Sequence, residues 1–270
     1  RQAARAPIDR QDWRAALARP ERFADWQALF LEELEHEEWK VVVGRWAPRL
    51  APGLAGAATH GVIRTAHAAR AVDVRASAIR RRELATGLAY WAASYQELPW
   101  DGSLAPEASI EAALAKVEAR LPALEPPQGN IITGLAALDA TPSFRPVAGL
   151  VDTRDPLRTL HELTAACAQL FLRNPERPIH FTHAVTAPSA LRLLLPALDE
   201  ESARAAVRYA WQAAAGLYVV YADPRRTPVE PDSDHATAAL IAAALAVGDP
   251  HALKLTEACL REEAAAADPA

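Results

Sequence analysis

Apolar residues recur at intervals of three and four along almost the whole chain, and this helical spacing limits the folds that it can adopt. Alanine and leucine, both good helix formers, occupy many of these positions. With 11 glycines against 21 prolines, the chain has few flexible points and many stiff turns, which suits helices joined by short connections. No strand-rich stretch and no internal repeat interrupts the pattern. The sequence therefore predicts an all-α fold, with helices that include residues 54–72, 109–121, 200–222 and 251–263.

The length of 270 residues is sufficient for one large domain with a substantial core. We predict a single multi-helix domain over residues 1–270, built around a central pocket. Loop signals rich in proline and glycine cluster between residues 122 and 156. This segment is predicted to be an irregular connector between two helical halves.

Charge and composition exclude several functional classes. The net charge of −5 and the absence of a polybasic run argue against nucleic acid and against an anionic membrane surface. No run of about 18 apolar residues could span a bilayer. The two cysteines, Cys167 and Cys259, are predicted to be buried thiols of a cytoplasmic protein. Because the chain contains no methionine, we expect a further segment to precede Arg1.

Two histidines, His60 and His67, lie seven residues apart in a segment that is predicted to be a buried helix. Seven residues make nearly two helical turns, so both rings project from one face. Buried rings need partners, which are hydrogen bonds, carboxylates or a metal ion. The backbones of the two residues would lie about 10 Å apart. One metal ion is therefore more easily shared by His60 and histidines of other helices.

Other histidines and one lysine are further candidates for a metal site, and each also has a structural explanation. His183 is predicted to open an apolar helix, as a neutral ligand or as a capping residue. His251 and Lys254 are neighbours on one helical face. A lysine on an inner face loses solvation and can react with carbon dioxide to give a metal-binding carbamate, whereas a surface lysine keeps its head in water. His161 does not continue as H-E-x-x-H, which excludes a zinc peptidase of that type.

Two further signatures are missing from the sequence. No serine lies in G-x-S-x-G, the nucleophile pattern of the α/β-hydrolases. No G-x-G-x-x-G supports a built-in dinucleotide fold. The aromatic side chains of Tyr90, Trp91, Trp211 and Tyr218 could line a substrate pocket, and they are equally well explained as core.

Four motifs, in order along the chain, resemble the hallmarks of the questin oxidase-like family. They extend from the first half of the chain to its last predicted helix. The motifs are Ala58-Thr59-His60-Gly61-Val62-Ile63-Arg64-Thr65-Ala66-His67-Ala68, Glu83-Leu84-Ala85-Thr86-Gly87-Leu88-Ala89-Tyr90-Trp91-Ala92, Phe181-Thr182-His183-Ala184-Val185-Thr186 and His251-Ala252-Leu253-Lys254-Leu255-Thr256-Glu257-Ala258-Cys259-Leu260.

The resemblance implies an all-helical oxidoreductase of secondary metabolism, whose fungal relatives open the rings of anthraquinone-type polyketides. It implies a non-haem iron centre that contains His60, His183, His251 and a carboxylated Lys254. By the same resemblance, the residues placed around the metal or the substrate are His67, His161, Arg64, Tyr90 and Trp91. Relatives also carry an asparagine-histidine segment near their N-terminus, which we expect to supply another ligand.

We therefore predict an iron-dependent oxygenase that uses dioxygen on an aromatic or quinone-like substrate. One alternative is a Baeyer–Villiger-type monooxygenase that uses NADPH without a metal. Another is a non-catalytic helical ligand-binding protein, in which the histidines pair with Glu83, Glu162 or backbone groups. If His60, His183 and His251 share a metal ion, their rings should lie within about 5 Å of one point, whereas scattered rings would exclude the shared metal.

Overall fold

The computed structural model describes residues 6–120, 129–223, 226 and 236–267. Within these ranges the protein is all-α and contains no β-strand, apart from an isolated bridge between Leu54 and Gln96. The predicted fold class is therefore confirmed. The α-helices are α1 (Phe23–His36), α2 (Trp39–Leu50), α3 (His60–Val74), α4 (Ala78–Ala93), α5 (Ile110–Arg120), α6 (Ile131–Ala136), α7 (Pro156–Arg173), α8 (Pro178–Leu191), α9 (Glu200–Tyr221), α10 (Thr237–Val247) and α11 (Pro250–Ala267).

Helix α4 packs against both α1 and α3 in the N-terminal half. Two glycines allow α3 and α4 to approach closely. A Cβ atom on Gly61 would lie 2.7 Å from the Cα atom of Trp91, and one on Gly87 would lie 2.9 Å from the Cα atom of Thr65. Neither position has space for a side chain, so this crossing fixes where α3 begins relative to the core.

A cluster of aromatic rings fills the space between α1, α2 and the turn that precedes them. The ring of Trp46 meets those of Trp13, Trp26 and Phe30 edge to face at centroid distances of 5.3 to 5.8 Å. Such pairs stabilise a core beyond their buried area. The indole nitrogen of Trp46 donates to the Glu33 carboxylate at 2.8 Å. These tryptophans therefore belong to the core.

Helix α8 lies at the centre of the C-terminal half and packs against α3, α7, α9 and α11. Every residue from 181 to 191 is buried, as expected for a helix that is apolar on all sides. The prediction that His183 opens this helix is wrong, because α8 begins at Pro178. Proline suits the first helical position, where its missing N–H is not needed. His183 thus lies in the second turn, inside the protein.

The part of the predicted connector that the structure describes, residues 129–156, contains α6 and three short 3-10 turns. Helix α6 and the last of these turns pack against α9. The Trp211 indole of α9 donates to the Val147 carbonyl at 2.8 Å, which joins the segment to the core. Residues 122–128 of the predicted connector lie outside the described residues.

The C-terminal helices α10 and α11 form a hairpin around Gly248, which takes the left-handed conformation typical of a residue after a helix end. Along α10, the side chains of Leu240, Ile241 and Leu245 are exposed. None of the helices in the described part of the chain is both long and apolar enough to cross a membrane.

The two cysteines occupy different environments. Cys167 on α7 is buried, and burial raises the pKa of its thiol to about 12. Cys259 on α11 is exposed, so the prediction of a buried thiol is wrong for this residue. The alanine-rich surroundings of Cys259 in sequence resemble a core helix, but α11 covers the protein from one side only.

Candidate metal centre

Three histidines that are distant in sequence come together where α3, α8 and α11 meet. His60 is the first residue of α3, His183 lies within α8, and His251 is the second residue of α11. One ring nitrogen of each lies within 4.8 Å of those of the other two. The His183 ring is 4.5 Å from the His60 ring and 5.5 Å from the His251 ring, measured between centroids. The structure therefore brings together the three predicted histidine ligands.

The spacing of the three rings fits a shared transition-metal ion. Imidazole nitrogens bind such ions at about 2.1 Å, so two ligands of one ion lie at most about 4.2 Å apart. The ring nitrogens lie within 4.8 Å of one another, so they would need to approach by only about 0.6 Å to reach this distance. Small rotations of the rings are sufficient for such a shift. Several imidazoles together suit iron, zinc, copper or nickel. The donor set of this cluster therefore fits a metal ion.

His60 is set by an unusual turn. Ala57, Ala58 and Thr59 all have left-handed backbones, with φ angles of 48°, 54° and 66°. The predicted helix over residues 54–72 therefore begins only at His60. The turn places the Ala57 carbonyl 2.7 Å from Nδ1 of the His60 ring. A carbonyl can only accept, so Nδ1 carries the proton and Nε2 has a free lone pair.

The ring of His251 is also fixed at Nδ1, by a side-chain carboxylate instead of a backbone carbonyl. The Asp249 carboxylate lies 2.9 Å from Nδ1 of the His251 ring, and it accepts the backbone N–H of the same residue at 2.8 Å. These hydrogen bonds lower the pKa of the Asp249 carboxyl group, with the backbone N–H as the largest cause. Apart from its position before Pro250, no sequence signal marks Asp249, and only the folded chain shows its contact with the ring.

His183 is the most deeply buried of the three, with 1% of its surface exposed. Burial lowers its pKa to about 3, and the neighbouring rings of His60 and His251 act in the same direction. Burial also lowers the pKa of His60. Both rings are therefore neutral at physiological pH, as a metal ligand must be. Nδ1 of His183 is buried and has no hydrogen-bond partner among the described residues.

Lys254 lies one turn after His251 on α11 and is partly buried. Burial is the main cause of the lowered pKa values of His60, His183 and His67, and the positive charge of Lys254 acts in the same direction. The structure thus places the fourth predicted ligand on the same helix as His251, one turn further on.

The residues predicted to surround the site divide into two groups. His67 contacts Arg70, whose Nη2 is 3.3 Å from Nδ1 of the His67 ring. Trp91 is buried against Gly61, next to His60. The pKa of the Arg64 guanidinium is raised, first by its hydrogen bond to Glu83 and to a smaller extent by Tyr90.

Arg64 and His161 do not point to the three histidines. Arg64 forms an exposed pair with Glu83 at 2.7 Å. His161 lies 3.2 Å from Glu262, which follows His251 by three turns of α11, or about 16 Å. Glu162 pairs with Arg158 rather than with a histidine. The carboxylates of Glu83 and Glu162 thus have arginine partners, which leaves the histidines free to converge.

Comparison with known proteins gives one result that covers most of the chain. The sequence profile of a family described as questin oxidase-like matches residues 1–259. A search of curated proteins found no match. The matched region contains the first three sequence motifs, the fourth as far as Cys259, and every predicted site residue, including the three converging histidines. The chain therefore belongs to the questin oxidase-like family.

Proposed function

We propose that this protein is an oxygenase that binds one non-haem iron ion and oxidises an aromatic, polyketide-type substrate with dioxygen. The observation that carries the proposal is the convergence of His60, His183 and His251, whose ligand nitrogens lie within 4.8 Å of one another. The family is named for an oxidase, which supports an oxidative reaction. Neutral imidazoles with an oxygen ligand are a donor set that iron accepts.

Lys254 is proposed to supply the oxygen ligand. Its amine, on the same helix face as His251, would lose the ammonium proton, form an N–C bond to carbon dioxide, and release a second proton from nitrogen to give the carbamate anion. A carbamate carries a negative charge where the unmodified ammonium is positive, so the change replaces repulsion of a metal ion by attraction. Iron held by these residues would supply the activation of dioxygen.

The protein's own groups have three tasks in this proposal. The Ala57 carbonyl and the Asp249 carboxylate hold the rings of His60 and His251 by Nδ1. Helix α8, buried on all sides, keeps His183 neutral and away from bulk water. Trp91 forms an apolar wall behind α3. Orientation and exclusion of water are the contributions that a protein makes to such a centre.

Metal analysis of the freshly purified protein tests the proposal. We expect close to one iron ion per chain, and we expect His60→Ala and His183→Ala to lose most of it while remaining helical by circular dichroism. His36→Ala, an exposed histidine on α1, is the matched control and should keep its iron. Iron bound equally well by all three variants would contradict the assignment. Metal-free protein that turns over only with added NADPH would favour the alternative without a metal.

The carbamate has its own test. Protein equilibrated with ¹³C-labelled bicarbonate should show a carbamate carbon signal by NMR, and Lys254→Gln should lack it. The same variant should bind less iron than the parent protein. A spectrum identical in the two proteins would remove Lys254 from the ligand set and leave the three histidines in place.

A further inference from the structure

Asp249 is an exposed residue that makes two hydrogen bonds to a single neighbour, His251. One carboxylate oxygen accepts the backbone N–H at 2.8 Å and lies 2.9 Å from Nδ1 of the ring. An ionised carboxylate can only accept, so the Nδ1 nitrogen must carry the proton. In the neutral form of the His251 ring, this contact selects the tautomer with its lone pair on Nε2.

A second helix shows what the same local sequence does elsewhere. Helix α7 also begins with the pair Asp-Pro, at Asp155 and Pro156. There the carboxylate accepts the backbone N–H of Arg158 at 3.1 Å, which is an ordinary helix cap. Helix α7 carries Leu157 where α11 carries His251, so Asp155 caps its helix with no ring beside it. The Asp155 carboxylate accepts the N–H three residues on, whereas that of Asp249 accepts the N–H two residues on.

The two partly exposed histidines of the cluster share this arrangement. The Ala57 carbonyl holds Nδ1 of His60 at 2.7 Å, just as Asp249 holds Nδ1 of His251. In both rings Nε2 is the nitrogen that remains to bind a metal ion. Carboxylates and carbonyls in this position fix the tautomer, orient the ring and increase the electron density of the ligand nitrogen.

We infer that Asp249 is a positioning residue, which holds the His251 ring in the Nδ1–H tautomer and directs Nε2 toward the point shared with His60 and His183. The inference rests on the proposed metal function. It assigns a role to a residue that lies outside the four family motifs.

Paired variants separate positioning from capping. Cobalt(II) is the probe, because it stands in for iron(II) in air and its visible spectrum reports binding. We expect Asp249→Ala to weaken cobalt binding by 10- to 100-fold, the usual effect of removing such a partner. Asp155→Ala removes the aspartate cap at the start of α7, and we expect its cobalt affinity to stay within twofold of the parent value. Urea unfolding should show comparable losses of stability for both.

Histidine ¹⁵N NMR of the metal-free protein provides a readout that does not depend on metal. The His251 ring should be Nδ1-protonated in the parent and in Asp155→Ala, and should populate the other tautomer in Asp249→Ala. An unchanged tautomer in Asp249→Ala would overturn the inference, as would cobalt affinity equal to that of Asp155→Ala. A parent protein that binds no cobalt would instead contradict the proposed metal function, while the tautomer measurement would still decide the role of Asp249.

Discussion

At the residue scale, backbone strain is concentrated beside the candidate metal centre. Four non-glycine residues have a positive φ angle among the described residues, and three of them, Ala57, Ala58 and Thr59, precede His60 directly. Each left-handed L-residue costs about 1–2 kcal/mol. Such conformations persist where the surrounding structure enforces them, and they are frequent at functional sites. The turn is therefore a structural cost that accompanies the placement of His60.

The fourth of these residues, Ala18, offers a test of this strain. Ala18 is exposed and has a φ angle of 56°. Replacement by glycine relieves the left-handed strain but adds freedom to the unfolded chain, so we expect a net stabilisation of about 0.5–1 kcal/mol. Urea unfolding measures the change. A loss of stability would show that the backbone at Ala18 is not strained.

Ala57→Gly, beside the candidate metal centre, should change the free energy of unfolding less than Ala18→Gly does. Ala57 is 7% exposed, so Ala57→Gly removes a buried methyl group worth about 0.8 kcal/mol. This loss offsets the relief of strain, and we expect a free energy of unfolding close to the parent value. Comparison of Ala57→Gly with Ala18→Gly in the same urea series checks the difference. Equal stabilisation by both would contradict it.

At the scale of single elements, α11 is attached to α8 at two places. Near its N-terminus, His251 meets His183. Three turns later, the buried Glu262 carboxylate accepts from the Ser189 hydroxyl at 3.0 Å and from the Arg192 guanidinium at 2.9 Å. The first attachment is a contact between two proposed metal ligands, and the second is a buried, hydrogen-bonded ion pair. The position of His251 thus depends on a buried charge pair far from the ring.

Removal of that pair should destabilise the protein. Glu262→Ala leaves the Arg192 guanidinium without its partner, and the two side chains are only 10% and 16% exposed. Breaking a buried pair in this way costs about 3 kcal/mol. Glu162→Ala breaks a pair with the largely exposed Arg158 and is the matched control, with an expected loss below about 0.5 kcal/mol. Equal losses in urea unfolding would show that Glu262 does not anchor α11.

At the scale of the whole molecule, burial keeps several histidines neutral. Burial is the largest cause of the lowered pKa values of His67 and His180, and nearby arginines act in the same direction. In the unfolded chain these rings titrate near pH 6.5. The unfolded state therefore binds more protons than the folded state below that pH. The resulting stability is present above pH 6.5 and is lost as the pH falls toward the lower folded pKa values.

This linkage can be measured on the metal-free protein. We expect the free energy of unfolding to decrease between pH 6.5 and pH 5.5 in the parent. The double variant His67→Gln/His180→Gln should show a smaller decrease over the same interval, because two of the responsible rings are gone. His36→Gln, with an exposed ring, is the matched control. An equal decrease in the double variant would show that other groups cause the acid sensitivity.

Much of the element structure could be predicted from local patterns. The predicted helices at residues 109–121, 200–222 and 251–263 correspond to α5, α9 and α11. The residues at which helices begin were harder to predict. The segment from Leu54 to Thr59 has good helix formers, yet its last three residues form a left-handed turn that packs against α6 and α8. Pro178, not His183, begins α8. In both cases the error arose because a helix boundary depends on contacts that local propensity does not contain.

The sequence by itself determined that the protein is helical and which residue types could bind a metal, since periodicity and motifs are local properties of the chain. Only the tertiary structure decided that His60, His183 and His251 converge, while His161 pairs with Glu262. It also decided which nitrogen of His60 and His251 is free. The predicted central pocket stays a prediction. The physical reason is range: helix formation depends on neighbours three and four residues away, whereas this site depends on the packing of α3 and α11 against α8.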